Sequence, residues 1–234
     1  MRVSESDAST IRGDMEDDFH CFGVTLRHDG RRVIDVIGDG VRYPWTTCPS
    51  AVEPLRDLAG APLSTRLSAL GDHAPARQNC THLFDLAGLA VAHAARGRGG
   101  TRTYDVAIPD RDGTRTQPEL WRDGELLFRW SIAGRQIIGP PPFENIELRG
   151  GFIAWAEETL DADTAEAASV LRRACDISFG RSIDLDVFVT ADMLGERVRG
   201  TCHSFQPGMI EQAERVKGQT RDFTSDPDAL LQPR

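Results

Sequence analysis

Residues 78–94 read QNCTHLFDLAGLAVAHA. From Leu83 onward the stretch is a long apolar helix, predicted over about 80–95 and stopped by RGRGG at 96–100. Its polar chemistry is crowded into the first turn. Asn79 reads as the N-cap, which places Cys80 in that turn. There, unpaired N–H groups and the helix dipole would stabilise a thiolate. Two residues apart on a helix, Cys80 and His82 point roughly 200° apart and diverge. A thiol–imidazole pair therefore needs a histidine from elsewhere, or needs Cys80 to lie before the helix. His93 is about 16 Å further along the axis and cannot share a metal with His82. Asp85 is placed to orient the His82 ring, or is a solvated carboxylate.

On either side of this helix the chain reads mostly as β-structure. Phe22, Val24 and Leu26 alternate with Cys21, Gly23 and Thr25, HDG at 28–30 turns, and RRVIDVIG returns. RYPWTTCP at 42–49 breaks the strand, and Pro49 opens a short helix that Gly60 ends. Residues 61–78 read as irregular. After residue 100, turn signals at 110–113 and 122–124 and the strand candidate ELLFRWSI mark a second β region over 101–139. The prolines of IIGPPPFEN make a linker or a rigid loop over a pocket. Residues 150–180 read as helical, with DTAE at 163–166 as a capping box. SIDLDVFV is a candidate strand, and a last helix is predicted from Pro207 to Gly218. The pattern is α+β: antiparallel hairpins packed against several helices in a single compact unit. Residues 1–18 read as a flexible acidic arm, 19–218 as one domain (19–100 and an extension 101–218 completing its pocket), and 219–234 as a polar tail.

A net charge of −9 without a Lys/Arg stripe argues against nucleic acid and anionic membranes as partners. No apolar run approaches the roughly 20 residues of a membrane span, and the polar N-terminus lacks the core of a signal peptide. Five scattered cysteines without CxxC spacing predict reduced thiols in a cytoplasm. Walker A, GxGxxG, HExxH and GxSxG patterns are missing, which disfavours nucleotide and flavin cofactors.

Further candidates lie outside the long helix. Cys48, beside Pro49, would put a second thiol at a helix start, or it packs in the core. In TCHSFQP at 201–207, Cys202 and His203 face opposite ways on an extended backbone, so only one can enter a pocket. His20, on the face of Phe22 and Val24, is a pocket base or a satisfied core histidine. Trp45, Trp121, Trp130 and Trp155 would wall an apolar pocket if clustered, and are otherwise core.

RHDG at 27–30, Asp39 with Tyr43 soon after, CPSAVEPLRDLAG at 48–60 and CTHL at 80–83 together resemble the bacterial domain-of-unknown-function family numbered 2889. The resemblance covers about residues 20–95. It implies that Cys48, Cys80, Thr81 and His82 match the family pattern, and a setting in catabolism of aromatic or acyl compounds, but no reaction. This chain has QNCTHL where the family carries a glycine before the cysteine.

Three functions are weighed. The first is a cytoplasmic enzyme without cofactor, a hydrolase, isomerase or carbon–carbon lyase acting on an aromatic or acyl small molecule. Its catalytic residues would be His82, Cys80, His203 and His20, with Cys48, Thr81, Trp45 and Tyr43 binding substrate. The second is a zinc enzyme with ligands from Cys48, Cys80, His82, Cys202 and His203. The third is a non-catalytic ligand-binding or assembly protein, with a homo-oligomer as one form.

Overall fold

Ile11, Gly13 and Met15 alternate with Arg12, Asp14 and Glu16, and this alternation makes a strand of a segment that reads as disordered by composition. In the computed structural model, which describes residues 1–97 and 99–232, β1 (Arg2–Asp7) and β2 (Thr10–Glu16) form an antiparallel hairpin. The expected flexible arm over 1–18 is corrected accordingly. Val3, Ile11 and Met15 are buried. On the other face Arg12 neutralises the acids, reaching Asp14 at 2.8 Å and Asp39 at 2.6 Å. Its guanidinium lies over Gly23, where a Cβ would stand 1.9 Å from Nη2.

The α+β class holds. The chain folds as two compact units, residues 1–101 with 185–234, and residues 102–184. Within the span 19–218, residues 102–184 build a core of their own around Trp130, Phe143, Phe152 and Leu171.

In the first unit, β3 (Cys21–His28) and β4 (Val33–Arg42) complete a meander in the order β4-β3-β2-β1. Ile11 pairs with Leu26 and Met15 with Phe22, so one face of the sheet is continuously apolar. The short helix α1 (Val52–Leu55) lies between 3₁₀ turns, and Gly60 takes φ +90° after it. The long helix α2 (Thr81–Arg96) packs on the apolar face. A Cβ on Gly13 would come within 3.0 Å of the Leu86 side chain, so glycine sets the closeness of helix and sheet.

Two later expectations are corrected. Residues 185–187 form a 3₁₀ turn and not a strand, and 207–218 is not a helix but turns broken by isolated β-bridges at Glu214 and Arg215. Asp186 ties both segments together, accepting from Arg215 Nε and from Gly218 N, each at 2.9 Å. The polar tail wraps back: Arg221 N donates to Asp18 O at 2.8 Å, and Leu231 N to Glu16 Oε2 at 2.9 Å.

In the second unit, β5 (Thr101–Ala107), β6 (Arg115–Thr116), β7 (Glu119–Arg122), β8 (Glu125–Arg129), β9 (Ser131–Ala133) and β10 (Gln136–Gly139) form antiparallel ladders, β5-β7-β8 and β10-β9-β6. ELLFRWSI breaks into β8 and β9 at Trp130, which is fully buried. Helices α3 (Phe152–Thr159) and α4 (Ala162–Ser178) follow. The cap of α4 is Asp161, which accepts from Asp163 N and Thr164 N, and not the predicted Asp163. Glu166 consequently turns inward, where it accepts from Tyr104 Oη at 2.5 Å. Among the described residues, no helix is long and apolar enough to cross a membrane.

Candidate functional site

The loop between β2 and β3 is closed by its own side chain. Asp17 Oδ1 accepts from the backbone N–H of Phe19 at 2.8 Å and of His20 at 2.7 Å. The same oxygen lies 3.0 Å from His20 Nδ1. Burial alone would raise the Asp17 pKa. The charges of His20 and His82 and the hydrogen bonds of the loop hold it well below the ordinary carboxylate range. A carboxylate only accepts, so the contact requires a proton on His20 Nδ1.

The first turn of α2 meets this loop. His82 lays its ring on His20, with centroids 3.9 Å apart and planes tilted by 32°. Its Nε2 lies 3.8 Å from Asp17 Oδ2. Both imidazoles are buried. Sequence reasoning named His20 and His82 separately and missed Asp17, taking it for part of a disordered acidic run. The signal available was DDFH, in which Asp17 stands three residues before His20.

Cys80 is the N-cap residue itself, with φ −64° and ψ 125°, and Thr81 opens the helix. This corrects the placement of Cys80 in the first turn and of Asn79 as cap. Off the helix, the Cys80 thiol no longer diverges from the imidazole, and Sγ lies 4.0 Å from His82 Nδ1. Burial pushes the thiol pKa up, Cys48 and Cys202 add to the rise, and the backbone N–H groups of Leu83 and His82 oppose it only in part. The helix start therefore does not make a thiolate here. Asn79 instead donates from Nδ2 to Pro75 O at 3.2 Å.

The remaining candidates gather on a neighbouring patch of the same unit. His203 Nε2 is 2.8 Å from Ser50 Oγ, and its backbone N donates to Asn79 O at 3.0 Å. Burial lowers its pKa, against a smaller opposing effect from the Gln78 backbone. Cys48 is buried, accepts from Ser204 Oγ at 3.5 Å, and has its pKa raised by burial. Trp45 is core, edge-on to Phe205 at 6.2 Å and beneath Arg215. Tyr43 and Thr81 are half-buried.

Arg42 is a second residue the sequence reading passed over. Its buried guanidinium donates to the backbone oxygens of Asp17, of Asp18 at 2.7 Å and of His20 at 3.2 Å, and pairs with Glu16 at 3.2 Å. It thereby fixes the loop that carries Asp17 and His20.

Among the described residues, Asp17, His20 and His82 form a group whose ligand atoms all lie within 4.8 Å of one another. Of the ligands foreseen for zinc, His82 belongs to this group, and Cys48, Cys80, Cys202 and His203 do not. Compared with protein families, with curated proteins and with solved structures, the chain matches none.

Proposed function

We propose that this chain is a small-molecule enzyme working in the cytoplasm without an organic cofactor, with His20 and His82 as its acid–base pair. The observation that carries the reading is one carboxylate, Asp17, beside two adjacent imidazoles at 3.0 and 3.8 Å. His20 Nε2 accepts a proton from substrate or water. Asp17 stabilises the resulting imidazolium through Nδ1. His82, against the same carboxylate, returns a proton to the leaving atom. Cys80 lines the site as a neutral thiol. The substrate class is an aromatic or acyl compound and the reaction a hydrolysis, isomerisation or carbon–carbon cleavage. The resemblance at Cys48 and at Cys80–His82 agrees with a site at the start of α2.

A second reading has the same three side chains hold a divalent transition metal, as two histidines and a carboxylate do in many such sites. Their ligand atoms all lie within 4.8 Å of one another. Two features favour acid–base chemistry over it. The rings pack against each other, with centroids 3.9 Å apart and planes tilted by 32°. Asp17 Oδ1 already receives three N–H donors.

The test is turnover of a panel of aryl and acyl esters, thioesters and aromatic 2-oxo acids, with and without chelator. The expected result is chelator-resistant turnover that falls about 100-fold or more in His20→Ala and His82→Ala. Undiminished turnover in both variants overturns the proposal. Loss on chelation, restored by zinc, replaces it with the metal reading.

A further inference from the structure

In the first unit the 3₁₀ turn Cys48–Ala51 meets the 3₁₀ turn His203–Phe205. A serine and a histidine touch there: His203 Nε2 lies 2.8 Å from Ser50 Oγ. Ser50 is exposed and His203 half-buried, so a ligand can reach the pair from solvent. The histidine is held from several sides. Its backbone N donates to Asn79 O at 3.0 Å. Gln206 Nε2 fastens the same turn to Arg77 O at 2.7 Å and to Cys202 O at 3.1 Å. Ser204 Oγ donates to Cys48 Sγ at 3.5 Å, two residues from Ser50.

Burial lowers the His203 pKa, so at pH 7 the ring is neutral and one of its nitrogens carries a proton. The Gln78 backbone acts in the opposite sense, as a carbonyl does toward an imidazole N–H. With Nε2 against Ser50, the nitrogen left for Gln78 is Nδ1, and Nε2 then presents its lone pair. The Ser50 hydroxyl has two acceptors within reach, Thr47 O and His203 Nε2, each at 2.8 Å. Rotation about the Cβ–Oγ bond swings its proton from the first to the second. A nucleophile, a base within hydrogen-bond reach and a third group orienting the base make up the arrangement that serine acyl transfer requires.

We propose that Ser50 is a nucleophile with His203 as its general base, and that this dyad takes acyl groups from small aryl esters and thioesters. Ser50 Oγ bonds to the acyl carbon while its proton passes to His203 Nε2. The bond to the phenolate or thiolate breaks, and the departing group takes that proton. Water then attacks the acyl carbon and gives a proton to Nε2, and the carboxylic acid leaves as Ser50 Oγ recovers the proton. The group behind the imidazole is a neutral carbonyl and not a carboxylate, so the imidazolium is stabilised less than in a full triad. That favours phenolates and thiolates, which depart with little protonation, over alkoxides and amines. The pair shares no residue with Asp17, His20 and His82, so either proposal stands if the other fails.

The probe is phenylmethanesulfonyl fluoride, which sulfonylates a serine oxygen and releases fluoride once a base takes the hydroxyl proton. The full chain is treated at neutral pH, and the adduct is read by intact mass and by peptide mass spectrometry. One sulfonyl group per chain is expected, on the peptide that carries Ser50. His203→Gln keeps a hydrogen-bonding group beside Ser50 but offers no base, and should slow the labelling about 100-fold or more. No adduct, an adduct on another residue, or equal rates in the parent and His203→Gln would overturn the proposal. Should that variant fail to fold, the parent chain unfolded in urea takes its place. It keeps Ser50 and loses the dyad, and labelling of Ser50 as fast as in the folded chain would overturn the proposal equally.

Discussion

Cys80 Sγ and His82 Nδ1 lie 4.0 Å apart because Cys80 stops one residue short of α2 while His82 is inside it. Had both been helical, their side chains would point apart. The contact is nevertheless not that of an activated nucleophile, since burial raises the thiol pKa. Cys80 should therefore be slow to alkylate at pH 7.5, and Cys202, half-buried where Cys21, Cys48, Cys80 and Cys175 are buried, should react first. Timed iodoacetamide labelling with peptide mass spectrometry reads the order directly. If Cys80 labelled first, it would be a thiolate and a nucleophile after all.

Asp17 makes stability depend on pH in a definite direction. Its folded pKa lies below the ordinary carboxylate value of about 3.9. A depressed pKa contributes stability above the unfolded value and loses it as pH falls through the folded one. The urea midpoint should drop as pH is lowered from 5 to 2. In Asp17→Asn that slope should flatten. The variant should also lose about 1–3 kcal/mol at pH 7, because the loop keeps its N–H donors and loses the charge that holds them. A slope identical in the two proteins would show that the acid dependence resides elsewhere.

The elements with strong local signals were legible before the structure. The apolar run that became α2, the hairpin turning at HDG and the turn at residues 123–124 between β7 and β8 each carry their determinant within a few residues. The β1–β2 hairpin did not, because its apolar residues are sparse and its acids are neutralised by Arg12, whose partner Asp39 comes from β4. The turns over 207–218 have helical composition, yet Asp186 captures Arg215 and Gly218, a tertiary constraint that local propensity does not contain. The site divides in the same way. His20, Cys80 and His82 were named from residue type and position. Asp17 and Arg42 were not, since each matters only through what the fold brings beside it.

Arg42 ties the site to the tail. Besides the loop oxygens it donates to Gln219 O at 3.1 Å, and its guanidinium sits over the Phe223 ring at 5.7 Å. Arg42→Ala removes a buried cation, leaving Glu16 without its ion-pair partner and several carbonyls without a donor. A loss of about 3–5 kcal/mol in urea unfolding is expected. Removing residues 219–234 takes one acceptor and a ring contact from Arg42 and the Arg221 and Leu231 N–H donors from Asp18 and Glu16, but leaves the buried guanidinium on its loop oxygens, and should cost less. A truncation as damaging as Arg42→Ala would mean that the tail, and not the loop, is what Arg42 serves.

Glu166 is the buried charge on which the second unit's core turns. It is 2% exposed, accepts from Tyr104 Oη at 2.5 Å and faces Arg102 Nη1 at 3.2 Å. Burial raises the Tyr104 pKa, and the neighbouring Glu166 charge raises it further, so the phenol stays protonated and donates. Glu166→Gln keeps the shape and removes the anion, and Arg102 keeps its pairing with Asp163 at 3.4 Å. Breaking one side of a buried pair in this way should cost about 3 kcal/mol. Tyr104→Phe removes one donor while Arg102 still meets the carboxylate, and should cost about 1 kcal/mol. Three of the four tryptophans, Trp121, Trp130 and Trp155, lie within residues 102–184, so tryptophan fluorescence during urea unfolding reports chiefly on this unit. If Glu166→Gln left that transition unmoved, the cluster would be a tolerated burial and not a support of the fold.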